Sequence, residues 1–183
     1  SDYVEITLEY LGKYRQNMNV NPKKVLPLFQ ACEFGKEIME LGLINYKKKY
    51  YWNVDKKIHI KDCIIDRLCL GFSTFHAEIV IEGCIIKEMV LISAWFEQGF
   101  TFVNNIVKDQ IQYEMGGHNM QPVRIENNIF LNIFIFFDCY FMNSLIIKNN
   151  IFLNDCTLWN TTNTFCEYEV TGNRGKMDVK RID

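Results

Sequence analysis

The chain has no excess of basic charge: its 20 Lys and Arg are matched by 22 Asp and Glu, for a formal net charge of -2. That balance excludes the electrostatic footprint of a nucleic-acid binder. Charge is uneven along the chain, since residues 1–56 hold nine Lys and Arg against seven acids, while 57–183 hold eleven against fifteen. A surface of net -4 over the second part is too weakly acidic for a DNA mimic. There is no Cys-x-x-Cys pair, no Gly-rich phosphate loop, no nucleophile elbow and no Ser-His-Asp order. The three histidines, His59, His76 and His118, form no i, i+4 pair and have no cysteine at metal spacing, so no zinc signature is present and no cofactor is expected. The start of the chain lacks the basic-then-apolar order of a secretory leader. Seven cysteines (Cys32, Cys63, Cys69, Cys84, Cys139, Cys156 and Cys166) are an odd set in a chain large enough to fold without staples. They read as free thiols of a reducing compartment, so the expected location is cytoplasmic, with secretion as the alternative. The most membrane-like stretch, residues 129–147, contains Asn132, Asp138 and Asn143, and is read as protein core rather than a membrane span.

What the chain does have is hydrophobic substance, 49% of its residues, and a phrase written five times. The copies are residues 58–64, 79–85, 100–106, 123–129 and 145–151, reading apolar, any, apolar, polar, turn residue, Cys or Asn, Ile, with Val103 in the polar place of the third copy. Measured at Cys63, Cys84, Asn105, Asn128 and Asn150, the spacings are 21, 21, 23 and 22 residues. A fixed period of that length predicts one coil of a solenoid per copy. The two apolar residues stand two apart, as an inward strand face requires. Asp62, Gly83, Asn104, Asn127 and Asn149 are the types that tolerate positive φ at a corner. Stacked in register, the Cys and Asn positions form a structural corner ladder of small side chains and amides. Large residues also recur every five positions, as in Ile60, Ile65, Leu70 and Phe75, then Ile81, Ile86, Leu91 and Phe96, and in the fourth coil Ile125, Phe130, Ile135 and Tyr140. Each coil therefore has about four short faces. A worn sixth copy at residues 168–173 closes the array.

The Ile-x-Asn-Asn-Ile-Phe phrases at 125–130 and 147–152 resemble the coils of right-handed parallel β-helices of the pectin-lyase-like type. The five-residue rhythm is similar to pentapeptide-repeat proteins, although their usual Asp or Asn before the large residue is mostly missing. Both resemblances cover about residues 57–173 and imply a mainly β, right-handed parallel β-helix of five to six coils. They say almost nothing about activity. Arg124-Ile125-Glu126 and Gly116-Gly117-His118 resemble pieces of polygalacturonases, yet the paired aspartates of those enzymes are absent, so no catalytic residue is carried across.

The first 56 residues differ in kind. Asn21 followed by Pro22 reads as a helix start, and apolar residues at Val25, Leu28, Phe29, Cys32, Ile38 and Met39 predict an amphipathic helix over 22–41, kinked at Pro27. Residues 2–14 read as a second helix, from the Asp2 and Glu5 capping box, or as a strand, from the alternation of Val4, Ile6, Leu8 and Tyr10, with helix the expectation, and a short hairpin or strand is expected over 43–54. The expected organisation is an N-terminal α-helical cap (1–56), a β-solenoid (57–173) and a polar tail (174–183). The cap's task is to cover an open solenoid end with Leu28, Phe29 and Cys32, since such an end invites oligomerisation.

Carbohydrate cleavage needs two converging carboxylates. Asp66, Asp109 and Asp155 sit near corresponding corners of alternate coils beside Arg67 and Lys108 and read as solvated corners. The phrase breaks at residues 110–122, and insertions in solenoids map to loops on one face. Tyr113, Met115, Gly116, Gly117 and His118 are therefore the candidate binding loop. Of the aromatic set Trp95, Phe96, Phe100 and Phe102, at least the three phenylalanines fall on inward positions. The expected function is a non-enzymatic interaction or scaffold module with a protein partner. The alternative is a carbohydrate-binding or carbohydrate-cleaving β-helix using an outer face and the 110–122 loop.

Overall fold

A computed structural model describes residues 24–30 and 52–180. The chain winds as a parallel β-solenoid of about six coils, and every strand pairing among the described residues is parallel. The phrase builds the first face of each coil: Ile58–Lys61, Ile79–Glu82, Phe100–Val103, Val123–Glu126, Leu145–Lys148 and Tyr168–Thr171 stack into one six-stranded sheet. Register is strict, with Ile58, Ile79, Phe100, Val123, Leu145 and Tyr168 in one column. That register follows from the period of two, because a slip of one residue would turn Ile81, Phe102 and Ile125 out of the core.

A corner at the predicted turn residues separates the first face from the second. Asp62, Gly83, Asn104, Asn127, Asn149 and Gly172 all have φ between 54° and 68°. The second face is a seven-stranded sheet of Lys24–Gln30, Cys63–Cys69, Ile85–Val90, Ile106–Val107, Ile129–Phe130, Ile151–Phe152 and Arg174–Gly175. Ile111–Glu114, Phe134–Phe137 and Cys156–Thr157 form a third face. The fourth carries Trp52–Val54, Ser73–Phe75 and Ala94–Phe96, then Gly117 as a single bridge, then Tyr140–Phe141 and Thr164–Phe165.

The N-terminal expectation fails where it can be compared. Lys24–Gln30 is an edge strand on Cys63–Cys69, with Lys24 opposite Cys63 and Gln30 opposite Cys69, and no described residue is helical. The physical reason is competition. An interior Pro27 costs a helix about 3 kcal/mol, whereas an edge strand tolerates a residue without an N–H, and the open side of Cys63–Cys69 offers a row of backbone partners. Tertiary pairing therefore wins over a helical spacing of apolar residues. The segment still lies on the first coil, as an added strand instead of a helix. The helix expected over 2–14, Cys32 and most of the 43–54 segment fall outside the described residues, while Trp52–Val54 is a strand.

One continuous core runs along the axis, lined by Ile60, Ile81, Phe102, Ile125 and Ile147 from the first face and by Ile65, Ile86, Val107, Phe130 and Phe152 from the second. Aromatic rings stack from coil to coil inside it, with Phe75 on Phe96 at 5.3 Å and Phe130 on Phe152 at 5.2 Å. In the fourth coil the five-residue rhythm fails by one position. Phe134, Phe136 and Phe141 are the buried residues, while Ile135 is half-buried and Tyr140 is 41% exposed. An extra residue between Phe130 and Phe136 sets the shift, since the equivalent large residues of the first coil, Ile65 and Leu70, are five apart.

Candidate functional site

The ladder positions are held by the most repetitive chemistry in the molecule. The Asn105 Oδ1 accepts from the Cys84 N–H at 2.8 Å, Asn128 from Asn105 at 2.9 Å, Asn150 from Asn128 at 2.9 Å and Asn173 from Asn150 at 2.9 Å. Each Nδ2 donates to the carbonyl three residues before the preceding ladder position: Ile81, Phe102, Ile125 and Ile147. An asparagine here satisfies the backbone donor that the tight corner of the previous coil leaves without a ladder partner, and adds a bond to a carbonyl of the preceding strand. Cys63 and Cys84 fill the same slot in the first coils, where the Cys84 thiol is buried and desolvation pushes its pKa up to about 12. From Cys63 to Asn150 these ladder residues are buried by the fold, and only Asn173 at the last rung is partly open.

A second corner repeats the device with less obvious residues. Phe72, Ser93, Met115 and Asp138 take φ of 51° to 56° and are followed by the small residues Ser73, Ala94, Gly116 and Cys139. Desolvation pushes the Cys139 thiol up to about 12. The Asn163 Oδ1 accepts the Cys139 N–H at 3.0 Å, as the phrase asparagines do at the first corner.

The candidate loop is divided by the fold into an interior and an exterior part. Tyr113 belongs to the strand Ile111–Glu114 and is fully buried. Its hydroxyl donates to the Ala94 carbonyl at 3.1 Å and accepts the Gly117 N–H at 3.0 Å, and burial raises its pKa well above the usual tyrosine value. Gly116 lies against the Tyr113 ring. Gly117 has φ +91°, and a Cβ there would stand 2.2 Å from the Tyr140 carbonyl oxygen. Tyr113, Gly116 and Gly117 therefore bring the third coil close to its neighbours and offer no surface. Met115 is half-buried, and its carbonyl accepts the Trp95 indole N–H at 3.0 Å.

His118 is the member of the loop that faces out with company. Its ring stacks on Trp95 at 3.8 Å and meets Tyr140 edge-on at 5.7 Å. Partial burial lowers its pKa, so the imidazole is neutral near pH 7. Met120 and Met142, 50% and 47% exposed, continue this surface. They are neighbours in adjacent coils: the Asn143 Nδ2 donates to the Met120 carbonyl at 2.8 Å, and the Met142 N–H donates to Asn119 at 3.2 Å. Tyr140 and Met142 are not among the candidates from sequence; Trp95 is named there only within an aromatic set, and Met120 only as part of the 110–122 break. Strand alternation around the inward Ala94 and Phe96 was the signal for Trp95, and the lost rhythm of the fourth coil hid Tyr140.

Beyond the next corner lies a cleft of about 460 Å³ lined by Lys57, Glu78, Gln98, Thr101, Gln121 and Arg124 over a floor that includes Phe100. Lys57 pairs with Glu78 at 2.9 Å, and Arg124 stands 3.7 Å from Glu126. Among the described residues of the lining, Glu78 is the one carboxylate. The other ionisable groups disperse. Asp66 lies in the strand Cys63–Cys69 and Asp155 in a later coil, and both are exposed. His59 stands 3.6 Å from Glu82, and His76 bridges Glu97 at 2.6 Å and Asn53 at 2.8 Å. Among the described residues no three His, Cys, Asp or Glu side chains gather as a metal site requires, and no helix is long and apolar enough to cross a membrane.

No protein-family model, curated protein or solved structure matches the chain.

Proposed function

We propose that the protein is a non-catalytic interaction module whose solenoid, wound right-handed as parallel crossovers are, presents the Trp95, His118, Tyr140, Met120 and Met142 surface to a protein partner in a reducing, cytoplasmic setting. The observation that carries this reading is the exterior run of Trp95, His118 and Tyr140, stacked across the second, third and fourth coils, with exposed Met120 and Met142 two residues beyond His118 and Tyr140. Large exposed apolar patches on a soluble fold mark interaction sites, and Trp, Tyr and Met are the residues enriched where partners bury them. Trp95 is held rigidly by its N–H bond to Met115 while the methionines remain adaptable, a division between anchor and gap-filler.

The neighbouring cleft supports carbohydrate binding as a second reading, because Gln98, Gln121, Thr101 and Arg124 supply donors and acceptors in a concave site. Cleavage is disfavoured there, since one carboxylate lines the cleft and glycoside hydrolysis takes two. The stacked Trp95 also has one ring face covered by His118 at 3.8 Å, which leaves that face closed to a sugar.

The two readings separate in one comparison. Wild type, Trp95→Ala/Tyr140→Ala and Gln121→Ala/Arg124→Ala are used in parallel for quantitative capture from a cell extract and for binding to a glycan array. The proposal expects a captured protein that is lost with the aromatic variant and kept with the cleft variant. The same captured set from all three would overturn it, and glycan binding lost only in the cleft variant would establish the second reading.

A further inference from the structure

Among the described residues, the last coil continues the stacking pattern without a following strand, on a surface distinct from the aromatic patch. Along the first face the inward residues send their N–H groups to the following coil: Phe100 to Pro122 at 3.2 Å, Val123 to Ser144 at 3.0 Å and Leu145 to Glu167 at 3.0 Å. The corner residues do the same, as Asn127 does to Lys148 at 3.0 Å and Asn149 to Thr171 at 3.0 Å. By this register Tyr168, Val170 and Gly172 direct their N–H groups out of the C-terminal end, where no described strand follows. The ladder stops there too. Every earlier rung from Cys84 onward gives its N–H to the asparagine of the next coil, and for Asn173 no asparagine follows among the described residues. The carbonyl that such a residue would take is Val170, as Ile147 is taken by Asn173 at 2.8 Å.

The rest of this end does not close the site. Lys180 turns back over Tyr168 and Trp159, 4.6 Å and 5.6 Å from their ring centroids, so it covers the corner toward the fourth face. Thr171, Gly172, Arg174 and Gly175 stay exposed, and Val170 and Met177 are half-buried against the last layer of the core.

We propose that this edge binds an extended partner segment as a further parallel strand, selected by apolar residues two apart and an asparagine three residues after the second of them. The occupant follows from continuity, because each coil-to-coil interface within the molecule is built from that pattern. Strand addition supplies backbone hydrogen bonds as affinity and side-chain slots as selectivity. Here the selective element is the asparagine, whose Oδ1 receives the Asn173 N–H and whose Nδ2 reaches the Val170 carbonyl.

The probe is a labelled synthetic peptide with the sequence of residues 123–130, titrated by fluorescence anisotropy against the intact chain. Saturable binding of one peptide per chain is expected, weakened roughly tenfold or more when the peptide position equivalent to Asn128 is alanine, the size of two lost hydrogen bonds. Val170→Pro removes an N–H with no partner in the preceding coil and should abolish binding while leaving the melting curve near wild type, since edge strands accept proline. Trp95→Ala/Tyr140→Ala should bind the peptide normally, which keeps this site separate from the proposed interaction patch. Absence of saturable binding by the wild type would overturn the proposal, as would equal binding of the asparagine and alanine peptides. The peptide comparison decides even where Val170→Pro folds poorly.

Discussion

Replacing Asn128 by alanine isolates what one rung of the ladder contributes. The side chain is 1% exposed. Its Oδ1 accepts the Asn105 N–H at 2.9 Å, and its Nδ2 donates to the Phe102 carbonyl at 2.8 Å and to the Asn150 Oδ1 at 3.0 Å. Alanine leaves the Asn105 N–H buried without an acceptor, a cost of about 1–3 kcal/mol. The Phe102 carbonyl loses one of its bonds, which adds about 1 kcal/mol, and the space of the missing amide adds a smaller cavity cost. The sum is roughly 3 kcal/mol, or a fall in Tm of about 6–12 °C for a chain of this size. Asn173→Ala removes the same pattern of bonds, to Asn150 and Ile147, but from a half-buried residue at the end, where water replaces them. Its expected cost is about 1 kcal/mol or less. Urea unfolding followed by circular dichroism, with an unchanged slope, measures both. A cost for Asn128→Ala within about 0.5 kcal/mol of zero, or no larger than that of Asn173→Ala, would refute the view that ladder amides stabilise the coils by satisfying buried backbone groups.

Further expectations concern the close approach and the thiols. Gly117→Ala should cost about 3 kcal/mol or more, because its φ is +91° and the added Cβ would meet the Tyr140 carbonyl oxygen at 2.2 Å; a thermal melt checks this. Native-state alkylation at pH 8 read by mass spectrometry should modify exposed Cys166 well before buried Cys63, Cys69, Cys84, Cys139 and Cys156. Burial raises the Cys84 and Cys139 thiols from 9.0 to about 12, so the folded state holds protons that the unfolded chain releases. The stability from those two groups is complete below pH 9 and declines as pH rises toward 12, by up to about 1.4 kcal/mol per pH unit for each thiol. Cys84→Ala should make that decline shallower in denaturation curves between pH 8 and 11, and an unchanged slope would contradict the assignment.

The first face was legible because its chemistry and its period agree. Apolar residues two apart, a turn residue and a small slot recur in five copies, and the structure places their turn residues at positive φ. The second corner escaped notice because Phe72 and Met115 are not turn formers, and only the small residues after them, Ser73 and Gly116, mark the bend. The helical expectation for Lys24–Gln30 fails because its apolar spacing also fits a helix and its pairing partner, Cys63–Cys69, is remote in sequence. Local periodicity carries no record of an open sheet edge elsewhere. The exterior aromatic surface was legible only in part. His118 stood in the broken phrase, whereas Tyr140 was assigned inward because one extra residue before Phe136 displaces the rhythm. The polar cleft draws its lining from four corners, at Lys57, Glu78, Gln98 and Gln121, and no contiguous motif records that convergence.

The proposed function implies a division of labour: the first five copies of the phrase build the solenoid, and the proposed partner surface is carried by exterior residues outside them. A substitution scan that reads stability and partner capture separately for each variant tests it most directly. The expected result is that Asn105, Asn128, Asn150 and Ile125 variants lower the melting temperature and affect capture only through unfolding, while Trp95, Met120, Tyr140 and Met142 variants reduce capture with the melting temperature unchanged. Capture that depends on phrase positions in chains that remain folded, and that survives loss of Trp95 and Tyr140, would contradict it.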